Sequence, residues 1–326
     1  MIVESYVGHP SQICGVEEVI LAKGKGKGMT LLEIRNGKGM HLTLSADRAM
    51  DISRLSVNGV NMGYFSPCGY VAPAYYDDKG ASFLKSFTAG FLTTCGLRAV
   101  GSPCTDNGEE LPLHGTIGNT PCENYSYYET ETEIVVNAVV RDATIFADKL
   151  LLERKIICSK EENVFRIEDT VRNVGSNISP CMLLYHFNMG YPLLSENAVV
   201  SIPANSVKAR NAHAEEDIEN CLKMELPQAD YEERCYYHDV KEFGGIASVS
   251  IYNPDISKEL KMSFDKNTLD YFTEWKMMGE GDYVLGLEPG NCTPDGRDVM
   301  RKEGKLKFVE PGKTYETKIE IRLTNK

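Results

Sequence analysis

Apolar and polar residues alternate with a period of two along much of the chain. Near the C-terminus Tyr315, Thr317, Ile319, Ile321 and Leu323 are interleaved with Glu316, Lys318, Glu320 and Arg322, the pattern of a half-buried antiparallel strand. The same spacing sets Phe165, Ile167 and Val171 against Arg166, Glu168 and Arg172, Ala247, Val249 and Ile251 against Ser248 and Ser250, and Leu260, Met262 and Phe264 against Lys261 and Ser263. Further β-rich runs cover 134–140, 150–158, 181–185 and 198–202. Asn36-Gly37, Asn58-Gly59, Asn107-Gly108 and Gly244-Gly245 are hairpin-type dipeptides, and Pro311-Gly312 sets up the last strand. Helical signals are few: a short helix is expected within 212–226 and a weaker one within 81–91. Many short strands with almost no helix predict an all-β chain, a large antiparallel β-sandwich or barrel. The stretch from Tyr64 to Pro121 differs, being rich in Gly, Pro and Cys with little alternation. Long loops of that kind on a β scaffold tend to cover a site.

Composition narrows the partners. The 326 residues, with no internal repeat or low-complexity linker, are read as one domain, 1–326. A net charge of −12 argues against nonspecific nucleic-acid binding, which needs Lys and Arg to neutralise phosphates, and against docking on anionic lipid. Lys23, Lys25 and Lys27 alternate with Gly24, Gly26 and Gly28, which reads as a mobile, solvated loop. A phosphate-binding loop would end in Gly-Lys-Ser/Thr before a helix, and this one does not. The ten cysteines include no Cys-x-x-Cys pair, so a zinc ribbon or redox pair is not expected. No signal-peptide pattern opens the sequence, and no apolar run is long enough to span a membrane. Free thiols in such a chain suit a reducing cytoplasm, most of them as small apolar core residues.

Candidate chemistry gathers in a few segments. Of six histidines, His114 lies in Leu113-His114-Gly115 after a loop, and His186 follows an apolar run in Tyr185-His186-Phe187-Asn188. Glycine close to each permits tight turns or a close backbone approach to a ligand. Glu288 ends an apolar β run before Pro289-Gly290-Asn291. Burial there would raise its pKa towards the range of a general base. Arg48, between Asp47 and Asp51, offers a planar fork for sugar hydroxyls, or else a surface ion pair. Trp275, the only tryptophan, could stack on the apolar face of a pyranose or simply fill the core.

Taken in chain order, these segments resemble the galactose mutarotase-like (aldose 1-epimerase) superfamily, in one of its poorly characterised branches. The resemblance rests on an early Arg (Arg48), on Leu113-His114-Gly115 after an acidic loop, on His186-Phe187-Asn188, and on Glu288-Pro289 late in the chain. Leu92 to Leu97 and Tyr191 to Leu194 also resemble this branch. The match runs roughly from Gly39 to the last strand. It implies a supersandwich with a sugar on a concave face. It also implies a reaction in which Glu288 takes the anomeric hydroxyl proton, His186 protonates the ring oxygen, the ring opens, C1 rotates and the ring recloses. His114, the alternative holder of the acid role, and Arg48 match residues that orient the sugar. Asp51, Asn188, Trp275, Lys276 and Asn291 complete the expected substrate contacts. Lys276 would favour an anionic or carbonyl-bearing sugar; the family's sugar-binding Asp has no clear counterpart, and Asp239 in Tyr237-His238-Asp239 is the candidate. The chain departs from the family where His186 directly precedes Phe187-Asn188 instead of standing two residues earlier, and where Asp47 replaces the usual Asn before the Arg. His186 and Asn188 still share one strand face.

The expectation is therefore a cofactor-free isomerase acting on a small carbohydrate, open to pairing as a homodimer, with no metal, nucleic-acid or membrane partner. Two other readings stay open. One is a different sugar reaction on the same scaffold, isomerase, lyase or hydrolase, with a metal on His114, His186 and Glu288. The other is a non-catalytic carbohydrate-binding protein.

Overall fold

The computed structural model describes residues 5–326. Three antiparallel sheets hold most of the strands. The largest has nine strands, running in space Cys122–Glu129, Glu133–Ala143, Lys149–Ser159, Val164–Asn173, Thr314–Asn325, Lys258–Asp265, Ile246–Asn253 and Val199–Ser201, with Glu242–Phe243 paired beside Ile246–Asn253. The alternation near the C-terminus places Thr317, Ile319, Ile321 and Leu323 inward, as expected of a strand with one solvated face. A six-stranded sheet runs Ala204–Ala209, Arg234–Val240, Tyr271–Met278, Tyr283–Gly290, Met182–Met189 and Leu92–Leu97. A five-stranded sheet follows chain order from Gly15–Ile20 to Val60–Asn61. One apolar core joins all three, with Leu42 and Ile52 from the smallest, Val136, Ile167 and Ile321 from the largest, and Phe187, Phe272 and Leu287 from the six-stranded sheet. This is the large antiparallel β-sandwich that the alternation predicts.

Helix is scarcer than expected. Within 212–226 there is a single α-turn, Ala212–Glu215, capped by Asn211 Oδ1 on Ala214 N, followed by a 3-10 turn, Ile218–Asn220. Within 81–91 only the 3-10 turn Ser82–Lys85 forms, because the chain then enters short strands. A helix over Arg297–Lys302 had no sequence signal. All ten cysteines are free thiols, and six of them are buried. Among the described residues no helix is long and apolar enough to cross a membrane.

Candidate functional site

The strand Met182–Met189 is buried along its whole length, sandwiched between Leu92–Leu97 and Tyr283–Gly290. Its register pairs Phe187 with Leu287 and Leu184 with Gly290, which brings His186 beside Glu288. On the other side of Glu288, strand pairing sets Thr273 opposite it, and Trp275 lies two residues further on the same face. Nε2 of His186 lies 3.2 Å from Oε1 of Glu288, with the two side chains 6% and 2% exposed. The contact is close but not aligned as a hydrogen bond, and among the described residues Oε1 has no hydrogen-bond partner. Gly286 makes the approach possible: a Cβ there would stand 2.3 Å from Glu288 Oε1 and 2.9 Å from Trp275 Cβ.

His114 arrives from a loop. Its own φ is +59°, Gly115 follows at +72°, and Gly115 packs so tightly that a Cβ would meet Gly96 O at 2.3 Å. His114 N donates to Gly101 O, and Gly96 N donates to His114 O. This turn lays the imidazole edge-on against His186, ring centroids 5.5 Å apart. Phe83 packs on His114, while Phe87 and Trp275 pack edge-on against His186. The 64–121 stretch, expected to cover a site, thus supplies Phe83, Phe87, Gly101, Ser102 and Leu113 to the wall of a cavity of about 190 Å³ that also holds His114, His186, Trp275 and Glu288.

Burial sets the protonation. Desolvation lowers His186 to about 4, opposed by the neighbouring Asn188 side chain, and lowers His114 to about 3, helped by His186. Glu288 is pushed well above the ordinary carboxylate range, first by desolvation and then by the Glu233 charge, with Arg210 opposing. Burial therefore keeps both imidazoles neutral near pH 7 and shifts the carboxyl towards its protonated form.

Two charged residues of the wall were missed in the sequence. Arg210 Nη2 donates to Ser102 Oγ at 2.8 Å, and its Nε lies 3.3 Å from Asp295 Oδ1. Glu233 Oε2 accepts from the Trp275 indole at 2.6 Å. Both stand at the edges of a polar excursion between strands, where charge ordinarily signals solvent. Only the fold shows that they face the cavity.

Several expected contacts lie elsewhere. Arg48 is buried, but it donates to the carbonyls of Val71 and Ser86 and does not line the cavity. Asp51 is held by Arg154 at 2.7 Å and by Thr94. Asn188 shares the His186 face as expected, yet it is fully buried and donates back to His186 O, supporting that residue and not lining the cavity. Lys276 points to the opposite face from Trp275, as strand alternation requires, and pairs with Glu225 at 2.9 Å. Asn291 bonds the backbone at Leu183 and Cys181, tying two strands together. Asp239 is taken up by Lys266 and Asn205.

The model of the family described as "Domain of unknown function (DUF4432)" matches residues 26–323. No curated protein matches the sequence. Among solved structures, a candidate aldose 1-epimerase from Klebsiella pneumoniae subsp. pneumoniae superposes with a TM-score of 0.89 at 25% identity, covering 95% of this chain and 83% of that one. A galactose mutarotase-like protein from Clostridium acetobutylicum matches with a TM-score of 0.70 at 13% identity, over 97% of this chain and 100% of that one. The galactose 1-epimerase of Lactobacillus acidophilus matches with a TM-score of 0.63 at 11% identity, over 96% and 99%. The last two show the shared fold.

Proposed function

The chain belongs to the DUF4432 family, and we propose that it is an isomerase of the aldose 1-epimerase kind, interconverting the anomers of a small sugar. The observation that carries this reading is the buried His186–Glu288 pair, 3.2 Å apart under Trp275 in a cavity of small-molecule size. Anomer exchange needs one group to give a proton to the ring oxygen and another to take one from the anomeric hydroxyl. The pair holds one transferable proton in either of two forms, carboxylic acid with imidazole or carboxylate with imidazolium. In each form one member can donate and the other accept.

Ring opening then balances. The acidic member protonates O5 as the C1–O5 bond breaks, and the basic member takes the O1 proton as the C1 carbonyl forms. The pair is left in its other form. After rotation about C1–C2, the O5 hydroxyl attacks C1 from the opposite face. The proton on O5 returns to the group that supplied it, and the carbonyl oxygen regains one from the other. Burial favours the neutral form at rest, so Glu288 starts as acid and His186 as base; the resemblance had implied the reverse order. Because ring opening swaps the two forms, each residue serves in both capacities during one exchange. Neutral His114 and the Trp275 face hold the ring, and Arg210 and Glu233 offer hydrogen bonds to its hydroxyls at the mouth.

Saturation-transfer NMR between the two anomers, across a panel of aldoses, tests the proposal. Wild type should accelerate exchange for at least one sugar. Glu288→Gln should lose about 100-fold or more of that rate while still binding the sugar, and His186→Asn should lower turnover more than affinity. Unchanged exchange rates in both variants, or no acceleration of any aldose by a wild type that binds it, would overturn the reading.

A further inference from the structure

On the face of the six-stranded sheet opposite the cavity lies a second cluster of chemically capable side chains. Strand alternation turns Glu274 and Lys276 away from Trp275, and the register pairs Glu274 with Tyr236. Glu274 is 0% exposed, His238 5% and Cys221 7%. Nε2 of His238 lies 2.8 Å from Glu274 Oε2. Ligand atoms of Cys221, His238 and Glu274 all fall within 4.8 Å of one another. Among the described residues, Glu274 Oε1 is buried without a hydrogen-bond partner, and so is the hydroxyl of Tyr236 on the paired strand. A fully buried carboxylate oxygen left in that condition is costly, and it points to a partner that is not a side chain.

We propose that Cys221, His238 and Glu274 form a zinc site. One thiolate, one imidazole and one carboxylate are donors that this borderline-soft ion accepts, with the fourth tetrahedral position left to water. Bonds of about 2.0–2.3 Å place tetrahedral ligand atoms roughly 3.3–3.7 Å apart. The His238–Glu274 contact therefore opens by about half an ångström to admit the ion, within the reach of small side-chain rotations. Charges also match. The thiolate and Glu274 neutralise Zn²⁺, while Lys276, the nearby cation, is already matched by Glu225 and bonded to Asn220 O.

The placement gives the ion a task. Cys221 follows the 3-10 turn Ile218–Asn220, in the excursion that leaves the sheet after Ala204–Ala209 and rejoins it at Arg234–Val240. Arg210 opens this excursion and Glu233 closes it, and both line the sugar cavity. A metal on Cys221 staples the middle of the excursion to the two strands carrying His238 and Glu274. It thereby fixes both ends of a segment that meets the ligand, without touching the reacting pair.

The test uses the full chain, exposed to zinc and then desalted. Elemental analysis should find one zinc per chain, and chelation should lower the melting temperature and speed amide exchange within 211–232. Cobalt substitution should produce a thiolate-to-metal charge-transfer band. Cys221→Ser should abolish that band, and Glu274→Gln should weaken zinc binding at least tenfold, with near-UV circular dichroism confirming that each variant is folded. Less than a tenth of an equivalent in folded wild type, or a full equivalent retained by the folded Cys221→Ser/His238→Asn double variant, would overturn the proposal.

Discussion

Glu288 and His186 depart from their usual titration in opposite directions for one cause, the removal of water. His186, lowered to about 4 from 6.5, stays neutral in the folded chain where the unfolded chain would bind a proton. Its contribution to stability is therefore present above pH 6.5 and lost as pH falls towards 4. Glu288 runs the other way. Its carboxyl keeps a proton that the unfolded chain releases above about 4.5, so its contribution is present at low pH and lost as pH rises. Glu288→Gln keeps the shape and removes that second dependence. Measured from pH 5 to pH 8, the melting temperature of the variant relative to wild type should rise with pH, even as exchange activity disappears. A difference that stays flat across that range would mean Glu288 is ionised in the resting pocket. The same physics explains which residues could be read from the sequence. A His or Glu within an apolar run is conspicuous, because charge there needs a reason; His186 and Glu288 stood out on that ground. Arg210 and Glu233 sit among polar neighbours, and nothing in their surroundings distinguishes a cavity wall from solvent.

At the scale of the strand, Tyr283–Gly290 shows how one small residue positions the chemistry. Gly286 lies on the same face as Glu288 and opposite Trp275, and both side chains occupy the space a Cβ would take. Its backbone is not left-handed, so the glycine is required for room and not for its φ. Gly286→Ala should fold, with a cost of about 1–3 kcal/mol from overpacking. It should also lower the anomer-exchange rate by about 100-fold, because a displacement of about 1 Å in a reacting group has that effect. Near-normal exchange would show that the carboxylate does not work from the position it occupies here. Alternation made the strands themselves legible, and it also corrects the expectation for Lys276. Two consecutive strand residues cannot face the same side, so Trp275 at the cavity sends Lys276 to the interior. Asn291 and Arg48 needed more than periodicity. Their partners are backbone carbonyls and amides far along the chain, and no local pattern announces such contacts.

At the scale of the molecule, the expected sugar contact Asp51 belongs to the device that joins the sheets. Arg154, fully buried in the nine-stranded sheet, donates to Asp51 at the start of Asp51–Val57 in the five-stranded sheet and to Asp169 on its neighbouring strand, each at 2.7 Å. Its Nη2 also reaches Thr94 Oγ1, and Tyr185 OH donates to Asp169, so two strands of the six-stranded sheet enter the same network. Such a network does not by itself add stability beyond what an apolar replacement would supply, but removing one member leaves charges buried without partners. Arg154→Ala should therefore cost about 3–5 kcal/mol in urea denaturation, while Asp51→Asn, which keeps a polar group of the same shape beside Thr94 and Arg154, should cost less than half as much. Because members of one network couple, the double variant should fall short of the sum of the two single losses. Asp51→Asn should also leave anomer exchange within about twofold of wild type, since its carboxylate is taken up by Arg154 and Thr94 and does not line the cavity. A large loss of exchange at unchanged stability would return Asp51 to the substrate. A cost for Arg154→Ala below about 1 kcal/mol would show that the sheets are held by their shared apolar core alone.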